Sequence, residues 1–455
     1  MSGAGGPDPW RLGELADPLP VAPFPGPVDA RVTLPGSKSI TNRALVCAAL
    51  ASGRSTLRGI LRADDTEVML SALGALGAAV TIDETDPTVA RVDGIGGRIR
   101  GGTEAAPLRL DALLSGTTSR FLLGVAALAD GFITIDGAEP LRARPMRDGL
   151  DALTRIGAGV VASGDGLPAT IRGIGSSDAG GGDRRSVSVG AAASSQFLSA
   201  LLLAAPCAPG GLRIVVDGEI RSWPYVEMTV AVMASFGAGV DLRRGPDGVV
   251  FDVDPGGYHA VAYRVEPDAS AASYAFAVPA LVGGRVVVEG LGSSSLQGDL
   301  RMVDVLAEMG AAVDVGADNT VVAGTAGALH GVRVNLADLS DTAQTVAAVA
   351  VFASSATVID GIGFIRRKET DRIAAVVTEL RRCGIGASEL DDGIEIRPGS
   401  PRPAAIETYH DHRMAMAFAL LGLMSPGIAI CDPSCVSKTF PGYWRMLDDL
   451  RSTCR

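Results

Sequence analysis

Basic and hydroxyl side chains gather where helices are predicted to start in this chain. In the stretch 34–51, LPGSKSITNRALVCAALA, Pro35–Gly36 interrupt an extended run, and Ser37–Ser39 precede good helix formers. A helix start offers backbone N–H groups and the positive end of the helix dipole, and Lys38 and Arg43 add positive charge. This pattern suits an oxyanion such as phosphate or carboxylate. The stretch fits an ordinary capped helix with solvated charges equally well.

Similar groups of residues recur along the chain. They are SGTTSR at 115–120, RARPMR at 142–147, SSQF at 194–197, RSWPYVEMT at 221–229, SDTAQT at 340–345, RRKETDRI at 366–373, YHDHRMAM at 409–416 and SKTFPGYW at 437–444. Together they supply several Lys and Arg, many hydroxyls and the acids Asp341 and Glu369, with no evident Ser–His–Asp or Cys–His nucleophile. This mix suits a substrate with more than one phosphate or carboxylate, and it leaves the two acids and a Lys for proton transfer.

Each group also has a purely structural explanation. Glu369 and Arg372 have the i,i+3 spacing of a surface pair, Asp341 could be a helix N-cap, and His410–His412 could form a capping turn. The two histidines have no further ligand at metal-binding spacing, so we expect no metal site. The chain lacks G-x-x-x-x-G-K-[ST], which argues against a P-loop nucleotide site.

Length and composition limit the class of protein. A chain of 455 residues predicts two to three domains. The net charge of −11 argues against nucleic-acid binding through a broad basic surface. The six cysteines form no C-x-x-C pair, so we expect reduced thiols. Because no signal peptide or long apolar run is evident, we expect a soluble cytoplasmic protein without a membrane partner.

A Gly-Ala pattern repeats and predicts the fold. It reads ALGALGAAV at 72–80, ALTRIGAGV at 152–160, VMASFGAGV at 232–240, VLAEMGAAV at 305–313 and, more loosely, ELRRCGIGA at 379–387. We interpret its Gly as a helix C-cap with positive φ. A truncated last copy lies at Leu447–Leu450. A further helix precedes each of these six copies, predicted at Thr41–Ala51, Thr118–Ala129, Ser195–Ala205, Ser273–Val282, Thr342–Ala353 and His412–Met424. The chain thus has about six copies of a helix–strand–helix–strand–strand unit, at a period of roughly 70 to 80 residues.

The spacing of these copies predicts two similar α/β domains. The period shortens between the third and fourth copies, near Tyr263–Asp268. We therefore expect a flexible N-terminal arm at 1–27, one domain of three copies at 35–262, and another formed by 28–34 together with 263–455.

Six stretches strongly resemble one enzyme family, the bacterial 3-phosphoshikimate 1-carboxyvinyltransferases or EPSP synthases. They are PGSKSITNRAL, SSQFLSALLLAAP, VEPDASAASY, RKETDRI, YHDHRMAMAF and SKTFPGYW, and the resemblance spans about 28–450. It implies an inside-out α/β barrel in which each domain has three βαβαββ repeats, with ligands in the cleft between the domains. It also implies transfer of the enolpyruvyl group of phosphoenolpyruvate to the 5-hydroxyl of shikimate 3-phosphate, with phosphate released through a tetrahedral intermediate. These substrates are the expected partners of a monomer that needs no metal or organic cofactor.

The resemblance further implies roles for individual residues. Shikimate 3-phosphate would contact Lys38, Ser39, Arg43, Ser194, Ser195, Gln196, Ser222, Tyr225, Asp341 and Lys368. Phosphoenolpyruvate would contact Lys38, Gly116, Arg144, Gln196, Arg372, Arg413 and Lys438. Asp341 would take the 5-hydroxyl proton, Lys368 would orient that hydroxyl, and Glu369 would protonate the phosphoenolpyruvate methylene. Lys38 would protonate the departing group, and His412 is included in the catalytic set.

Two departures from the family pattern leave other functions open. Leu114–Thr117 replaces the Asn-Ala-Gly-Thr of many relatives, and Phe364–Ile365 replaces a frequent Asn-Trp, so one contact to each substrate is expected to be lost or replaced. One alternative is a UDP-N-acetylglucosamine enolpyruvyl transferase, which would carry a reactive Cys, whereas Cys47 lies on an apolar helix and Cys207 at a helix end. The other is a specialised or non-catalytic paralogue that binds a phosphorylated acid without turnover.

Overall fold

Short β-strands and α-helices alternate along residues 10–175, 183–190, 194–218, 220–245 and 248–454, which the computed structural model describes. The helices there are α1 (Lys38–Leu50), α2 (Asp64–Ala75), α3 (Gly116–Ala126), α4 (Glu139–Arg142), α5 (Arg147–Arg155), α6 (Ser195–Ala204), α7 (Trp223–Ser235), α8 (Ala269–Val282), α9 (Met302–Glu308), α10 (Ala343–Ala350), α11 (Arg372–Arg382), α12 (His412–Met424) and α13 (Tyr443–Ser452). The strands are β1 (Leu19–Pro20), β2 (Val28–Val32), β3 (Ala51–Arg58), β4 (Ala79–Ile82), β5 (Val89–Ile95), β6 (Ile99–Arg100), β7 (Leu108–Asp111), β8 (Ala129–Asp130), β9 (Phe132–Asp136), β10 (Gly159–Ala162), β11 (Ala169–Arg172), β12 (Arg185–Gly190), β13 (Leu212–Asp217), β14 (Val240–Gly245), β15 (Gly248–Val253), β16 (Tyr258–His259), β17 (Ala262–Arg264), β18 (Gly284–Glu289), β19 (Ala312–Val315), β20 (Asn319–Gly324), β21 (Arg333–Asn335), β22 (Thr357–Asp360), β23 (Gly386–Leu390), β24 (Gly393–Arg397), β25 (Ala404–Ile406) and β26 (Ile428–Ile430).

Inter-residue contacts divide the chain into two units. The inserted unit is Gly36–Glu266, and the flanking unit is Met1–Pro35 together with Pro267–Arg455. These limits differ by a few residues from the domain limits expected at 35 and 262. Each unit has its own hydrophobic core.

The sheets of both units repeat one strand order. In the inserted unit the orders are β7-β9-β11-β10, β12-β13-β15-β14 and β16-β3-β5-β4, with β17 also paired to β3. In the flanking unit they are β2-β18-β20-β19 and β21-β22-β24-β23. Each sheet joins one parallel pair, such as β7 and β9, to two further antiparallel strands. The βαβαββ repeats predicted from the sequence are confirmed in this arrangement.

The first helix of each repeat is buried on almost all sides. In the inserted unit α1, α3 and α6 pack against one another, as do α8, α10 and α12 in the flanking unit. Three of these helices begin earlier than predicted because side chains cap them: Ser37 Oγ accepts from the N–H of Ile40, Ser115 Oγ from that of Thr118, and Asp268 Oδ1 from that of Ala271. No helix in the described residues is long and apolar enough to cross a lipid bilayer.

The second helix of each of the first five repeats ends at a glycine, as the repeated pattern predicts. The φ angles of these glycines are between 78° and 111°, at Gly77, Gly157, Gly237, Gly310 and Gly384. The left-handed conformation lets the chain turn back toward the sheet, and glycine adopts it without the steric cost of a side chain.

Residues 10–27 differ from the flexible arm that was expected, because they pack against the flanking unit. β1 pairs antiparallel with β26, so that Leu19 faces Ile430, and β26 pairs in parallel with β25. The N–H of Val21 also donates to the carbonyl of Ile428 at 2.9 Å. β1 thus occupies the place that the third strand takes in the other sheets, where it pairs the exposed edge of β26. Residues 1–9, also assigned to the arm, lie outside the described residues.

Candidate active site

Arg372 is the centre of an ionic network in the flanking unit. As the first residue of α11 it is only 1% exposed. Its Nε donates to Asp411 Oδ2 at 2.7 Å, its Nη2 to Glu369 Oε2 at 2.8 Å and its Nη1 to Asp341 Oδ1 at 3.2 Å. Burial alone would lower the pKa of Arg372, but the three carboxylates outweigh it and raise that pKa above its ordinary value. The guanidinium therefore stays charged and holds three acids in fixed positions.

Three further cations contact the two acids that sequence analysis singled out. Arg413 Nη2 lies 2.7 Å from Asp341 Oδ2, and Lys368 Nζ lies 4.0 Å from the other oxygen of Asp341. Lys438 Nζ lies 3.0 Å from Glu369 Oε1. The Asp341 and Glu369 side chains are 17% and 13% exposed, so both carboxylates keep limited access to solvent. Six of the predicted site residues thus form one connected group.

Helix starts position this network. Asp411 is the N-cap of α12 and accepts from the backbone N–H of Arg413 at 2.9 Å. Asp371 caps α11 in the same way and so fixes the start of the helix at Arg372. Asp341 lies in the 3₁₀ turn Ser340–Thr342 before α10, and the N-cap of α10 is Thr342 rather than Asp341. The i,i+3 pair of Glu369 and Arg372, which the spacing suggested as a surface contact, does form, but it is buried within the network.

Of the two histidines of the YHDHRMAM stretch, His412 lies beside Asp411 of the network and His410 lies at the surface. His412, included in the catalytic set, is 1% exposed, and its Nδ1 is 3.6 Å from Asp411 Oδ1. His410 is exposed and hydrogen-bonds through Nδ1 to Asp432 Oδ2 at 3.0 Å. Within the described residues no group of three His, Cys, Asp or Glu could hold a metal ion.

In the inserted unit, several predicted residues lie at helix N-termini. Lys38 is the first residue of α1, and its Nζ is 3.4 Å from Asp65 Oδ2. Gly116 is the first residue of α3, and an added Cβ there would lie 2.7 Å from Arg144 Nη1 and 3.2 Å from Arg120 Nη1. Two guanidinium groups therefore lie against the start of α3, where the helix dipole is positive.

Gln196 connects the starts of α3 and α6. It accepts from Arg120 Nη1 at 2.6 Å and donates from Nε2 to Thr117 Oγ1 at 3.2 Å. Ser194 is the N-cap of α6, its Oγ accepting from the N–H of Gln196, and Ser195 is the first helical residue. Hydroxyl, amide and guanidinium groups are therefore close together at this helix start.

Arg43 is buried among the helices of the inserted unit, with 2% of its surface exposed. It donates to Thr229 Oγ1 at 2.7 Å, to the carbonyl of Ser39 at 2.9 Å and to the carbonyl of Tyr225 at 3.1 Å. Burial is the main cause that lowers the pKa of Arg43 to about 10. Ser222 precedes α7 with a left-handed φ of 55°, and its carbonyl accepts from the N–H of Tyr225. Arg43 thus fixes the segments that carry Ser39 and Tyr225.

Three further residues contact the predicted ones but had been assigned no role: Asp65 and Arg120 in the inserted unit, and Asp411 in the flanking unit. Arg120 and Asp411 lie in two of the recognised clusters, SGTTSR and YHDHRMAM, which gave a signal that was not used. For Asp65 the only signal was an acidic pair at the start of α2, which also fits ordinary stabilisation of a helix dipole.

The two thiols considered for a cysteine-dependent enolpyruvyl transferase are buried and protonated. Cys47 is fully buried, and burial raises its pKa well above the usual range. Burial also raises the pKa of Cys207 to about 12. A nucleophilic cysteine needs an accessible thiolate, which neither environment favours.

Comparisons with known proteins identify similar chains over nearly the whole length. The model of the family described as EPSP synthase (3-phosphoshikimate 1-carboxyvinyltransferase) matches residues 24–447. A 3-phosphoshikimate 1-carboxyvinyltransferase from Nostoc sp. is 45% identical over 94% of this chain and 98% of the relative. One from Shewanella sp. is 41% identical over 93% of this chain and 97% of the relative.

Two solved structures share the fold. EPSP synthase from Acinetobacter baumannii has a TM-score of 0.75 at 24% identity, covering 95% of this chain and 97% of the other. The enolpyruvyl transferase NikO from Streptomyces tendae has a TM-score of 0.72 at 20% identity, covering 96% and 97%.

Proposed function

Because this protein belongs to the EPSP synthase family, we propose that it transfers the enolpyruvyl group of phosphoenolpyruvate to the 5-hydroxyl of shikimate 3-phosphate. The C–O bond forms at C2 of phosphoenolpyruvate while its methylene gains a proton, which gives a tetrahedral intermediate. Loss of a methyl proton and of phosphate then restores the vinyl group. The observation that carries this proposal is the network around Arg372, which places two acids among four cations.

The charges of the network suit phosphoenolpyruvate. Bond formation at C2 requires that carbon to become cationic, so a proton donor must be close to the methylene. The substrate's carboxylate and phosphate must be neutralised at the same time. We assign Arg372, Arg413 and Lys438 to phosphoenolpyruvate, and we assign Glu369 as the acid for its methylene. Lys438 and Arg372, which both contact Glu369, thus lie beside the group that delivers the proton.

Asp341 and Lys368 are assigned to the attacking hydroxyl. Asp341 takes the 5-hydroxyl proton as the C–O bond forms, and Lys368 orients that hydroxyl. Lys368 lies 4.0 Å from Asp341 and 5.9 Å from the centre of the Phe364 ring. Phe364 therefore gives Lys368 an aromatic contact at the place where relatives often have Asn-Trp.

The remaining contacts come from the inserted unit. We assign shikimate 3-phosphate to the hydroxyl, amide and cationic groups of Ser39, Arg43, Ser194, Ser195, Gln196, Ser222 and Tyr225. Phosphoenolpyruvate is assigned to Lys38, Gly116, Arg144 and Gln196, with Lys38 protonating the departing phosphate. Because Arg43 is held by four protein oxygens, we expect it mainly to fix Ser39 and Tyr225 for the substrate. A catalytic role for His412 stays a prediction; its side chain is buried beside Asp411.

Release of phosphate from phosphoenolpyruvate plus shikimate 3-phosphate tests the reaction. We expect Glu369→Gln to lower kcat by at least about 100-fold, because a general acid contributes typically that much, while phosphoenolpyruvate still binds. The control is Glu389→Gln, which removes the charge of a glutamate that contacts Arg366 in the same unit and should keep normal turnover. A wild-type protein that releases no phosphate, or a fully active Glu369→Gln variant, would contradict the proposal.

The same assay decides between the alternatives. Turnover of shikimate 3-phosphate excludes a non-catalytic paralogue, and turnover of a UDP-amino sugar instead would favour the cysteine-dependent reaction. We also propose that the protein acts as a cytoplasmic monomer. Light scattering during size-exclusion chromatography should give a mass near the 46.4 kDa of one chain, and a mass of twice that value would contradict the proposed state.

A further inference from the structure

A buried glutamate on α11 contacts the segment that leads into α12. Glu379 is fully buried and lies about two helical turns after Arg372. Its Oε1 accepts from Tyr409 Oη at 2.7 Å, and its Oε2 accepts from the backbone N–H of Glu407 at 3.1 Å. Arg382 Nε lies 2.9 Å from Oε2. Two of these three donors belong to one short segment, so Glu379 ties that segment to α11.

The segment contains a turn that needs such support. Tyr409 and His410 are consecutive left-handed residues, with φ angles of 55° and 56°. Residues other than glycine seldom adopt this conformation, and it persists where the surrounding structure holds it. The N–H of Asp411 donates to the carbonyl of Thr408 at 2.9 Å, which closes the turn. Glu379 contacts the same turn through the hydroxyl of Tyr409.

The hydroxyl of Tyr409 is a dependable donor. Burial, followed by the hydrogen bond with Glu379, raises the pKa of Tyr409 to about 12. The phenol therefore keeps its proton at neutral pH and donates it to the carboxylate.

Asp411 directly follows the turn and contacts both arginines of the network. It accepts from Arg372 at 2.7 and 3.2 Å and from the backbone N–H of Arg413 at 2.9 Å. Both arginines also contact Asp341. A shift in the turn would therefore move Asp411 and, with it, the cations assigned to phosphoenolpyruvate.

We propose that Glu379 is a positioning residue for phosphoenolpyruvate binding, acting through Tyr409 and the left-handed turn to place Asp411, Arg372 and Arg413. This role rests on the proposed function. The ion pair with Arg382 balances the charge of Glu379, whereas the bonds to Tyr409 and Glu407 transmit its position to the turn.

Two substitutions test this role in the phosphate-release assay. We expect the KM for phosphoenolpyruvate to rise about fivefold in Tyr409→Phe and about tenfold in Glu379→Gln, since a hydrogen bond to a buried carboxylate is lost. The KM for shikimate 3-phosphate should stay within about twofold, because most residues assigned to that substrate belong to the inserted unit, whereas kcat should fall, because Arg372 also holds Asp341 and Glu369. The double variant should resemble Glu379→Gln, because both changes break the same connection.

Tyr443→Phe is the matched control. Tyr443 is buried in the same unit, and its Oη donates to the carbonyl of Met416 on α12 at 2.6 Å, away from the turn. Its loss should lower the unfolding temperature and leave the KM for phosphoenolpyruvate unchanged. An unchanged KM in Tyr409→Phe, or an equal rise in Tyr443→Phe, would overturn the positioning role while the active wild-type protein upholds the proposed function. If Glu379→Gln fails to fold, Tyr409→Phe alone decides.

Discussion

At the start of α3, any side chain larger than that of Gly116 would crowd two guanidinium groups. A Cβ on Gly116 would lie 2.7 Å from Nη1 of Arg144, and both this atom and the nearby Nη1 of Arg120 are ends of flexible side chains. Gly116 has no left-handed φ, so the backbone can accept alanine. The added methyl group should therefore move Arg144 and leave the helix in place.

Gly116→Ala should raise the KM for phosphoenolpyruvate by about tenfold, because Arg144 is assigned to that substrate and a shifted guanidinium binds it less well. The unfolding temperature should not fall, since alanine is a better helix former than glycine. Steady-state kinetics with each substrate varied in turn provide the measurement. The KM for shikimate 3-phosphate is the internal reference, and an unchanged KM for phosphoenolpyruvate would remove Arg144 and Gly116 from its site.

Single residues show how far sequence could define the candidate site. Lys38, Glu369 and Arg413 lie in contiguous motifs, so their presence in charged clusters was evident from the sequence. The burial of Arg43 was not evident, because it depends on Tyr225 and Thr229, which follow it by 182 and 186 positions. The role of Asp411 was not evident either, because it depends on the hydrogen bond from Arg372, 39 positions earlier. Side-chain partners that are distant in sequence leave no local pattern.

At the scale of elements, the position of α1 depends on close backbone packing at Gly36. A Cβ there would lie 1.8 Å from the carbonyl oxygen of Gly59 and 3.2 Å from the carbonyl carbon of Ile60. Backbone atoms cannot move aside as a long side chain can. Glycine therefore brings Ser37, the N-cap, and Lys38 to their observed positions.

Gly36→Ala should lower the free energy of unfolding by about 3 kcal/mol or more, the range typical of severe overpacking. Gly74→Ala is the control, because nothing lies within 4 Å of the added Cβ inside α2. That variant should gain about 0.5–1 kcal/mol from helix propensity. Urea-induced unfolding of both variants gives the comparison, and equal stabilities would show that the chain does not pass this close to Gly59.

Elements differed in how well their sequences predicted them. The C-terminal ends of helices followed from a local signal, since a terminal Gly acts within a few residues, whereas the starts of α1 and α8 were predicted too late although Ser37 and Asp268 cap them. β1 was missed because its stretch is rich in proline and the strand it pairs with, β26, is more than 400 positions away. A two-residue strand has no pattern of its own.

At the scale of the whole molecule, segments distant in sequence complete both units. β2 pairs in parallel with β18, and β16 and β17 pair with β3. In each unit, the paired strands are therefore separated in sequence by several complete repeats. The sheet of the sixth repeat is completed by β1, which pairs with β26. Because these pairings have high sequence separation, we expect them to form slowly.

Gly422 offers a test of this closure by residues 10–27. An added Cβ on this α12 residue would lie 2.5 Å from Val21 Cβ and 2.6 Å from its Cγ1. We expect Gly422→Ala to lower the free energy of unfolding by about 1–3 kcal/mol, because the methyl group displaces Val21 and its hydrogen bond to Ile428. Val21→Gly removes the crowding atoms, so the double variant should lose about 1–2 kcal/mol less than the sum of the single variants. Additive losses in urea unfolding would mean that Val21 does not pack on α12, and that the sixth sheet forms without β1.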